Sequence, residues 1–423
     1  MGCAGLTGEK EEEALKQDRA PVDSAAEREK ADQEELRDRI TLEHTADEYD
    51  KYLNAVVPPV FLNSLHAYSC EDDYRKVDIF SNETFVYARD SNPTVSILER
   101  KIAELEHGCR AVVFSSGMAA FTSLFFAVCK TGSHIICMKD VYMPVKRFLD
   151  GIAVPRLGMS VTYVSGNDLQ EIEGAAGEKT DLMILESPAT FVFRVVDLRA
   201  IAEIAKRKGF RTYIDNTCLS PIFQKPLDLG IDFSMHTMSK FMGGHSDIVG
   251  GVVVGKDDEI MRKLVSPYRE FLGGCMGPME AWLTIRGLRT LDVRMHEFMR
   301  TGMEVASFLE GHPKVRKVYY TGLASHPQAE IIRKQQKGHS SLMSLELDSD
   351  SPEDAKKFVD HLKVFQKGCS WGGFESLALL PLYDEPESAL ELIGQKRGLI
   401  RLYCGLEGSQ NLIADLSQAL DKL

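Results

Sequence analysis

The chain contains no Cys-x-x-Cys pair and no Cys/His array with metal-ligand spacing, and its nine cysteines, at 3, 70, 109, 129, 137, 218, 275, 369 and 404, form an odd and scattered set. That argues against a disulfide framework and against a bound metal, and for thiols kept reduced in the cytoplasm. A basic surface is missing too: 50 Lys and Arg face 63 Asp and Glu, for a formal charge of -13. Nucleic-acid phosphates need clustered cations, so no nucleic-acid partner is expected. The amino terminus, MGCAGLTGEK, has no basic segment followed by an apolar one, and Leu6 stands where a myristoylation signal wants Ser or Thr. The most apolar stretch, FSSGMAAFTSLFFAVC (114 to 129), holds four hydroxyls and falls short of the roughly 20 residues of a membrane span. There is no internal repeat. Small-molecule chemistry in a globular chain is what these absences leave.

What is present supports that reading. Hydrophobic residues make up 44% of 423 positions, enough for a substantial core and, at about 100 to 200 residues per domain, for two or three domains. Residues 9 to 50 are dominated by Glu, Lys, Asp, Arg and Ala with little apolar periodicity. Residues 1 to 50 are therefore expected to be a charged, mobile or loosely helical extension. From about 110, short apolar runs alternate with longer amphipathic ones. AVVFSS precedes GMAAFTSLFFAV, HIICMKD precedes VYMPVKRFLDG, SVTYVSG precedes DLQEIEGAAG, and DLMILES precedes DLRAIAEIAKRKG; FRTYIDNT then leads to DFSMHTMSK and DIVGGVVVG. This alternation predicts an α/β fold whose mostly parallel sheet is flanked by helices over 95 to 285. After about 285 a long helical stretch, GLRTLDVRMHEFMRTGMEVASFLEG, opens a smaller α+β domain over 286 to 423. Ligands of such sheets bind beyond the carboxyl ends of the strands. Ser115, Ser116, Asp140, Glu186, Asp215 and Asn216 all fall at predicted strand ends.

Beyond one of those ends lies HTMSKFMGGHSD (236 to 247). A lysine amine with a pKa of about 10.4 is protonated and a poor nucleophile at neutral pH, so a catalytic lysine needs a special setting. Condensation with pyridoxal phosphate supplies one, and that cofactor demands a lysine, a carboxylate for the ring nitrogen, an anion site for the phosphate and an aromatic face for the ring. Lys240 is flanked by Thr237 and Ser239, Asp215 ends a strand upstream, and Tyr142 follows the HIICMKD strand. SSGMAA (115 to 120) joins a strand to a helix, placing the amides of Gly117 and Met118 at a helix N-terminus. Each element alone has a plainer reading: a strand-end cap for Asp215, a solvated surface amine for Lys240, helix capping for SSGMAA, core for Tyr142. Their joint order along one α/β pattern favours the cofactor.

The chain also resembles the Cys/Met-metabolism family of pyridoxal-phosphate enzymes, which includes cystathionine lyases and synthases, methionine γ-lyase and homoserine sulfhydrylases. The resemblance runs from about residue 55 to the C-terminus through YARDSNPT (87 to 94), SSGMAA, ESPAT (186 to 190), IDNT (214 to 217), SKFMGGHSD (239 to 247), RGLRTL (286 to 291), SWGGFESL (370 to 377) and RLYCGLE (401 to 407). It implies a fold-type I enzyme with Lys240 as the Schiff-base lysine, Asp215 on the pyridine nitrogen and Tyr142 stacked on the ring. It places Gly117, Met118, Thr237 and Ser239 on the phosphate, with Thr237 and Ser239 exchanging the family's usual Ser and Thr. Residues 51 to 94 become an arm whose Tyr87 and Arg89 reach the phosphate of a neighbouring subunit, which implies a homodimer or homotetramer with shared sites. Arg401 takes the substrate α-carboxylate, a task suited to a planar guanidinium, with Ser370 and Trp371 beside the substrate. His245 reads as a structural residue of its turn.

Within that family several details resemble cystathionine β-lyases: Trp371 after Ser370, the Tyr142-Met143-Pro144 run, and ESPATFVFRVVDL, where Thr190 stands at the position of an Asn that contacts the ring hydroxyl. Cys369 replaces the glutamate that precedes this serine in cystathionine γ-lyases. YARDSNPT, in contrast, has the form of γ-enzymes. The expectation is α,β-elimination on L-cystathionine or a related cysteine S-conjugate, giving homocysteine or another thiol, pyruvate and ammonia. The alternatives are a γ-enzyme of the same family, such as methionine γ-lyase, cystathionine γ-lyase, cystathionine γ-synthase or a homoserine sulfhydrylase, and, more distantly, a non-catalytic amino-acid-binding relative.

Overall fold

Seven short apolar runs become the strands of one sheet: β1 (Arg110–Phe114), β2 (His134–Met138), β3 (Ser160–Val164), β4 (Thr180–Glu186), β5 (Arg211–Asp215), β6 (Phe233–Thr237) and β7 (Gly251–Gly255). They lie in a computed structural model that describes residues 25–423, with side chains from residue 29 onward. The strand order is β1-β7-β6-β5-β4-β2-β3. β6, β5, β4, β2 and β3 run parallel, and β7 is antiparallel to both β1 and β6. Parallel strands need helical crossovers, which cover both faces and explain why runs such as IICM are apolar on every residue. One face packs Phe121, Phe125, Ile136 and Ile184; the other packs Leu98, Ile102, Val113, Phe241 and Phe298.

The helices begin where the sequence supplies caps. The hydroxyl of Ser116 accepts from the Ala119 amide at the start of the helix Gly117–Val128, and Asp197 accepts from the Ala200 amide ahead of Leu198–Lys208. Asn92 caps Pro93–Leu105, with proline at its first position. These side chains satisfy amides that have no intrahelical acceptor.

A second sheet, ordered β10-β11-β12-β9-β8, is built from β8 (Val315–Tyr319), β9 (Leu342–Leu347), β10 (Gln366–Lys367), β11 (Leu377–Leu379) and β12 (Ile400–Tyr403). The long helical stretch divides into Pro278–Leu288 and Leu291–Glu310. The change of texture near 285 thus falls inside a helix, and the second helix packs Val305, Ala306 and Leu309 against the second sheet.

Of the charged extension expected over 1 to 50, residues 1 to 24 lie outside the described residues. Ala25–His44 forms a helix, here α1, that docks on α2 (Pro93–Leu105). Leu42 is its apolar anchor. The rest of the dock is polar: Lys225 pairs with Asp38 at 3.0 Å, Arg39 with Asp292 at 3.0 Å, and Arg289 donates to the Glu43 carbonyl at 2.8 Å. Lys101 donates to the carbonyls of Thr41 and Leu42, both at 3.1 Å. Lys101 and Arg289 thus meet carbonyls at the helix C-terminus, where the macrodipole favours cations. Among the described residues no helix is long and apolar enough to cross a membrane.

Candidate active site

The carboxyl ends of β4, β5 and β6 carry the site. Glu186 and Asp215 end adjacent strands and are register partners. The Asp215 carboxylate accepts the Thr217 amide at 3.0 Å and the Thr217 hydroxyl, while that hydroxyl oxygen accepts the Thr237 amide at 2.9 Å. Asp215 is thereby tied to the end of β6. Burial raises its pKa above the usual carboxylate range, against the Thr217 bonds and the opposing charges of His236 and Lys240. Below it, His236 and Glu106 form a buried pair that Ser234 joins at 3.1 Å. No sequence signal marked this pair, because it joins residues from separate elements.

Lys240 lies in the turn just beyond β6. Its Nζ donates to Ser370 Oγ at 2.6 Å and lies 5.2 Å from the centroid of the Trp371 ring. Burial, followed by the positive charge of Arg401, lowers its pKa to about 8. Gly372 explains how these partners arrive. Its φ is +91°, and a Cβ there would lie 2.8 Å from both Cα and C of Lys240, so only glycine lets the SWGG backbone rest on the lysine turn. Arg401, on β12, donates to the carbonyls of Cys369 at 2.9 Å and Ser370 at 3.3 Å. Burial lowers its pKa to about 10, and it remains a cation at neutral pH. Tyr142 is half-exposed, and its amide donates to Glu186 Oε2 at 2.7 Å. Burial and the Asp215 charge raise the pKa of its phenol.

An anion cradle adjoins these groups. The Ser116 cap takes the amides of Ala119 and Ala120 and leaves those of Gly117 and Met118 at the open end of their helix. A Cβ on Gly117 would lie 2.2 Å from Thr237 Oγ1, and one on Gly251 would lie 2.4 Å from the Ser116 carbonyl. The first helical turn is thus pressed onto the ends of β6 and β7. Ser239 Oγ accepts the Gly250 amide at 3.2 Å, which leaves its hydrogen available. Two hydroxyls and two helix-end amides suit a phosphate. Nδ1 of His245 bonds to the Gly243 carbonyl at 2.7 Å within its own turn.

Lys240, Ser370, Trp371, Arg401, Tyr142 and Asp215 are thus brought together, with Gly117, Met118, Thr237 and Ser239 at the adjoining strand ends. Tyr87 and Arg89 are engaged elsewhere. The Arg89 guanidinium lies 5.1 Å over the Tyr87 ring and 3.8 Å from Asp90, on a segment where both side chains are substantially exposed.

A strand-end lysine, a carboxylate, an aromatic face and a phosphate cradle on a mostly parallel sheet define a pyridoxal-phosphate enzyme of the α/β class. The profile of the family described as "Cys/Met metabolism PLP-dependent enzyme" matches residues 41–421. The chain is 35% identical over 381 residues to a cystathionine beta-lyase of Coxiella burnetii, covering 89% of this chain and 96% of that protein. It is 36% identical over 355 residues to a cystathionine gamma-lyase of Bacillus subtilis, covering 83% and 92%. Among solved structures, a cystathionine gamma synthase from Xanthomonas oryzae pv. oryzae in complex with aminoacrylate and cysteine superposes with a TM-score of 0.85 at 33% identity, over 91% of this chain and 98% of that one. The chain belongs to the Cys/Met metabolism family of PLP-dependent enzymes. Its cofactor is pyridoxal phosphate, and its chemistry is that of the trans-sulfuration lyases and synthases acting on amino acids.

Proposed function

We propose that the chain is a carbon–sulfur lyase performing α,β-elimination on L-cystathionine or a related cysteine S-conjugate, with release of a thiol, pyruvate and ammonia. Trp371 carries this reading: its indole stands over Lys240 Nζ and packs on Phe241 with ring centroids 5.4 Å apart. A bulky ring beside the amine suits one short proton transfer at Cα and crowds the second transfer, at Cβ, that γ chemistry adds. Pyridoxal phosphate, when bound, supplies a carbonyl for the substrate amine and a sink for the electrons of the Cα–H bond.

The residues do the rest. Gly117, Met118, Thr237 and Ser239 would hold the phosphate, Tyr142 would cover the ring, and Asp215 would keep the ring nitrogen protonated. Arg401 grips the substrate carboxylate, with its guanidinium set by the Cys369 and Ser370 carbonyls. Lys240, with its pKa near 8, has a neutral fraction at physiological pH and takes the Cα proton. Ser370 steers that amine through their hydrogen bond.

A γ-enzyme of the same family is the second reading, favoured by YARDSNPT and by relatives that bear gamma-lyase names. Purified protein supplied with pyridoxal phosphate and L-cystathionine is expected to release pyruvate and homocysteine. Release of 2-oxobutanoate and cysteine would sink the β reading.

The exposed pair Tyr87 and Arg89, on an arm that also exposes Leu53, Val56, Leu62 and Leu65, fits a dimer whose subunits complete each other's phosphate sites, paired again into a tetramer. Free thiols at all eight cysteines among the described residues fit a cytoplasmic protein.

A further inference from the structure

The guanidinium of Arg294 is buried in the first turn of the helix Leu291–Glu310 and has no role in the scheme above. Its Nε donates to Thr290 Oγ1 at 3.1 Å, its Nη1 to the Phe241 carbonyl at 2.7 Å and its Nη2 to the Gly287 carbonyl at 2.7 Å. Phe241 follows Lys240 directly. Among the described residues Arg294 is the one donor to that carbonyl. All three acceptors are neutral, and the two carbonyls belong to segments far apart in the chain. A planar guanidinium spans both with one rigid group, whereas an ammonium is a point charge.

The glycines around the guanidinium show how closely the parts fit. Gly244 closes the lysine turn by donating its amide to the Lys240 carbonyl at 2.8 Å. Its φ is +73°, and a Cβ there would lie 2.3 Å from Arg294 Nη1, so the turn has room for the guanidinium only because the residue is glycine. A Cβ on Gly287 would lie 2.3 Å from the Gly243 carbonyl oxygen and 2.5 Å from that of Met242. The corner between the helices Pro278–Leu288 and Leu291–Glu310 therefore rests on the lysine turn, and Arg294 fastens the two backbones together. Arg401 is held separately, by the Cys369 and Ser370 carbonyls.

We propose that Arg294 is a positioning residue, which ties the Phe241 carbonyl to the helix corner at Gly287 and so fixes the backbone from which the Lys240 amine reaches the substrate Cα. This rests on Lys240 as the group that takes the Cα proton, as proposed above, and holds for β- and γ-elimination alike. A base displaced by about 1 Å can cost about a hundredfold in rate, while the grip of Arg401 on the substrate carboxylate is left intact.

The test uses the holoenzyme at saturating pyridoxal phosphate with L-cystathionine, counting total 2-oxo acid released so that either elimination registers. Arg294→Lys is expected to lower kcat per bound cofactor about tenfold or more with KM within about threefold of wild type, and Arg294→Met to lower kcat further. In both, the primary isotope effect on kcat from Cα-deuterated substrate is expected to exceed that of wild type, because proton transfer to a misplaced amine becomes the slow step. A residue that only holds the fold together changes the amount of active holoenzyme and leaves that isotope effect alone. Wild-type kcat per bound cofactor in a folded variant, or a fall in kcat with no change in the isotope effect, would overturn the proposal. If neither substitution at Arg294 folds, Thr290→Val decides, since it removes only the acceptor of Nε: kcat is expected to fall about two- to tenfold, the scale of one hydrogen bond, and an unchanged kcat overturns the proposal. Full activity in Lys240→Ala would overturn the assignment of the base itself, whereas an essential Lys240 beside Arg294 variants of wild-type kcat overturns this inference alone.

Discussion

Two buried lysines occupy opposite kinds of place in this molecule. Lys101, beneath the N-terminal helix, and Lys240, in the candidate active site, both have pKa values lowered to about 8, with burial as the largest cause. Lys101 gives hydrogens to the Thr41 and Leu42 carbonyls and lies 3.6 Å from Asp47. An ammonium has three hydrogens, and this one has two carbonyl acceptors and a carboxylate counter-charge. Lys240 meets one hydroxyl and one aromatic face, and the like charge of Arg401 acts on it more strongly than the opposing charge of either Asp215 or Glu375. A displaced pKa marks burial. Spare hydrogen-bonding capacity in a buried amine is what distinguishes an amine ready for chemistry from one that holds a helix in place.

The contrast can be broken or sharpened by experiment. Lys240→Ala is expected to cut turnover of L-cystathionine by at least about a thousandfold while leaving the urea midpoint unchanged or higher, since it removes a poorly satisfied buried charge. Activity within tenfold of wild type would erase the distinction. Lys101→Met is expected to do the reverse, with a loss of about 3 kcal/mol in urea unfolding because Asp47 and two carbonyls lose their cation, and little change in kcat/KM. A loss below about 1 kcal/mol would mean that the other ion pairs hold α1 without it. Arg401→Lys should raise KM for the amino-acid substrate about tenfold or more with a smaller effect on kcat, since an ammonium cannot match a forked guanidinium on a carboxylate; an unchanged KM would remove Arg401 from the carboxylate site.

The smallest effect is a pH dependence in the cofactor-free protein. Folding lowers the Lys240 pKa from 10.5 to about 8, so between those values the unfolded chain holds more protons than the folded one. Over that window stability should rise with pH, and below it this residue should contribute no slope. Wild type measured against Lys240→Ala should show the rise in urea unfolding at a series of pH values, and parallel curves would refute it.

The same contrast explains what could be read from the sequence. The strands were legible because parallel strands buried on two faces are apolar at every residue, as in IICM and VVV. Lys240, Asp215 and the SSGMAA cradle were legible because strand ends, caps and a lysine among hydroxyls are local signals. The dock of α1 was not, because hydrophobic periodicity cannot register a helix held by Lys101, Lys225 and Arg289 acting on carbonyls and carboxylates. Gly372 lies in a local SWGG motif, but its closeness to Lys240 depends on folding two distant segments together. Glu186 was visible as a strand-end acid, but the hydrogen bond it accepts from the Tyr142 amide joins segments that no single stretch encodes. Tyr87 and Arg89 are marked by the resemblance alone, and within one chain the Arg89 guanidinium stacks over the Tyr87 ring beside Asp90.

The SWGG backbone rests on the lysine turn while Arg401 holds Cys369 and Ser370 from the second sheet. The residues proposed to choose the substrate therefore form a separable cartridge, clamped onto a cofactor bed that strands of the first sheet maintain. Under the proposed function, substitutions confined to the cartridge would change the sulfur chemistry without rebuilding the bed.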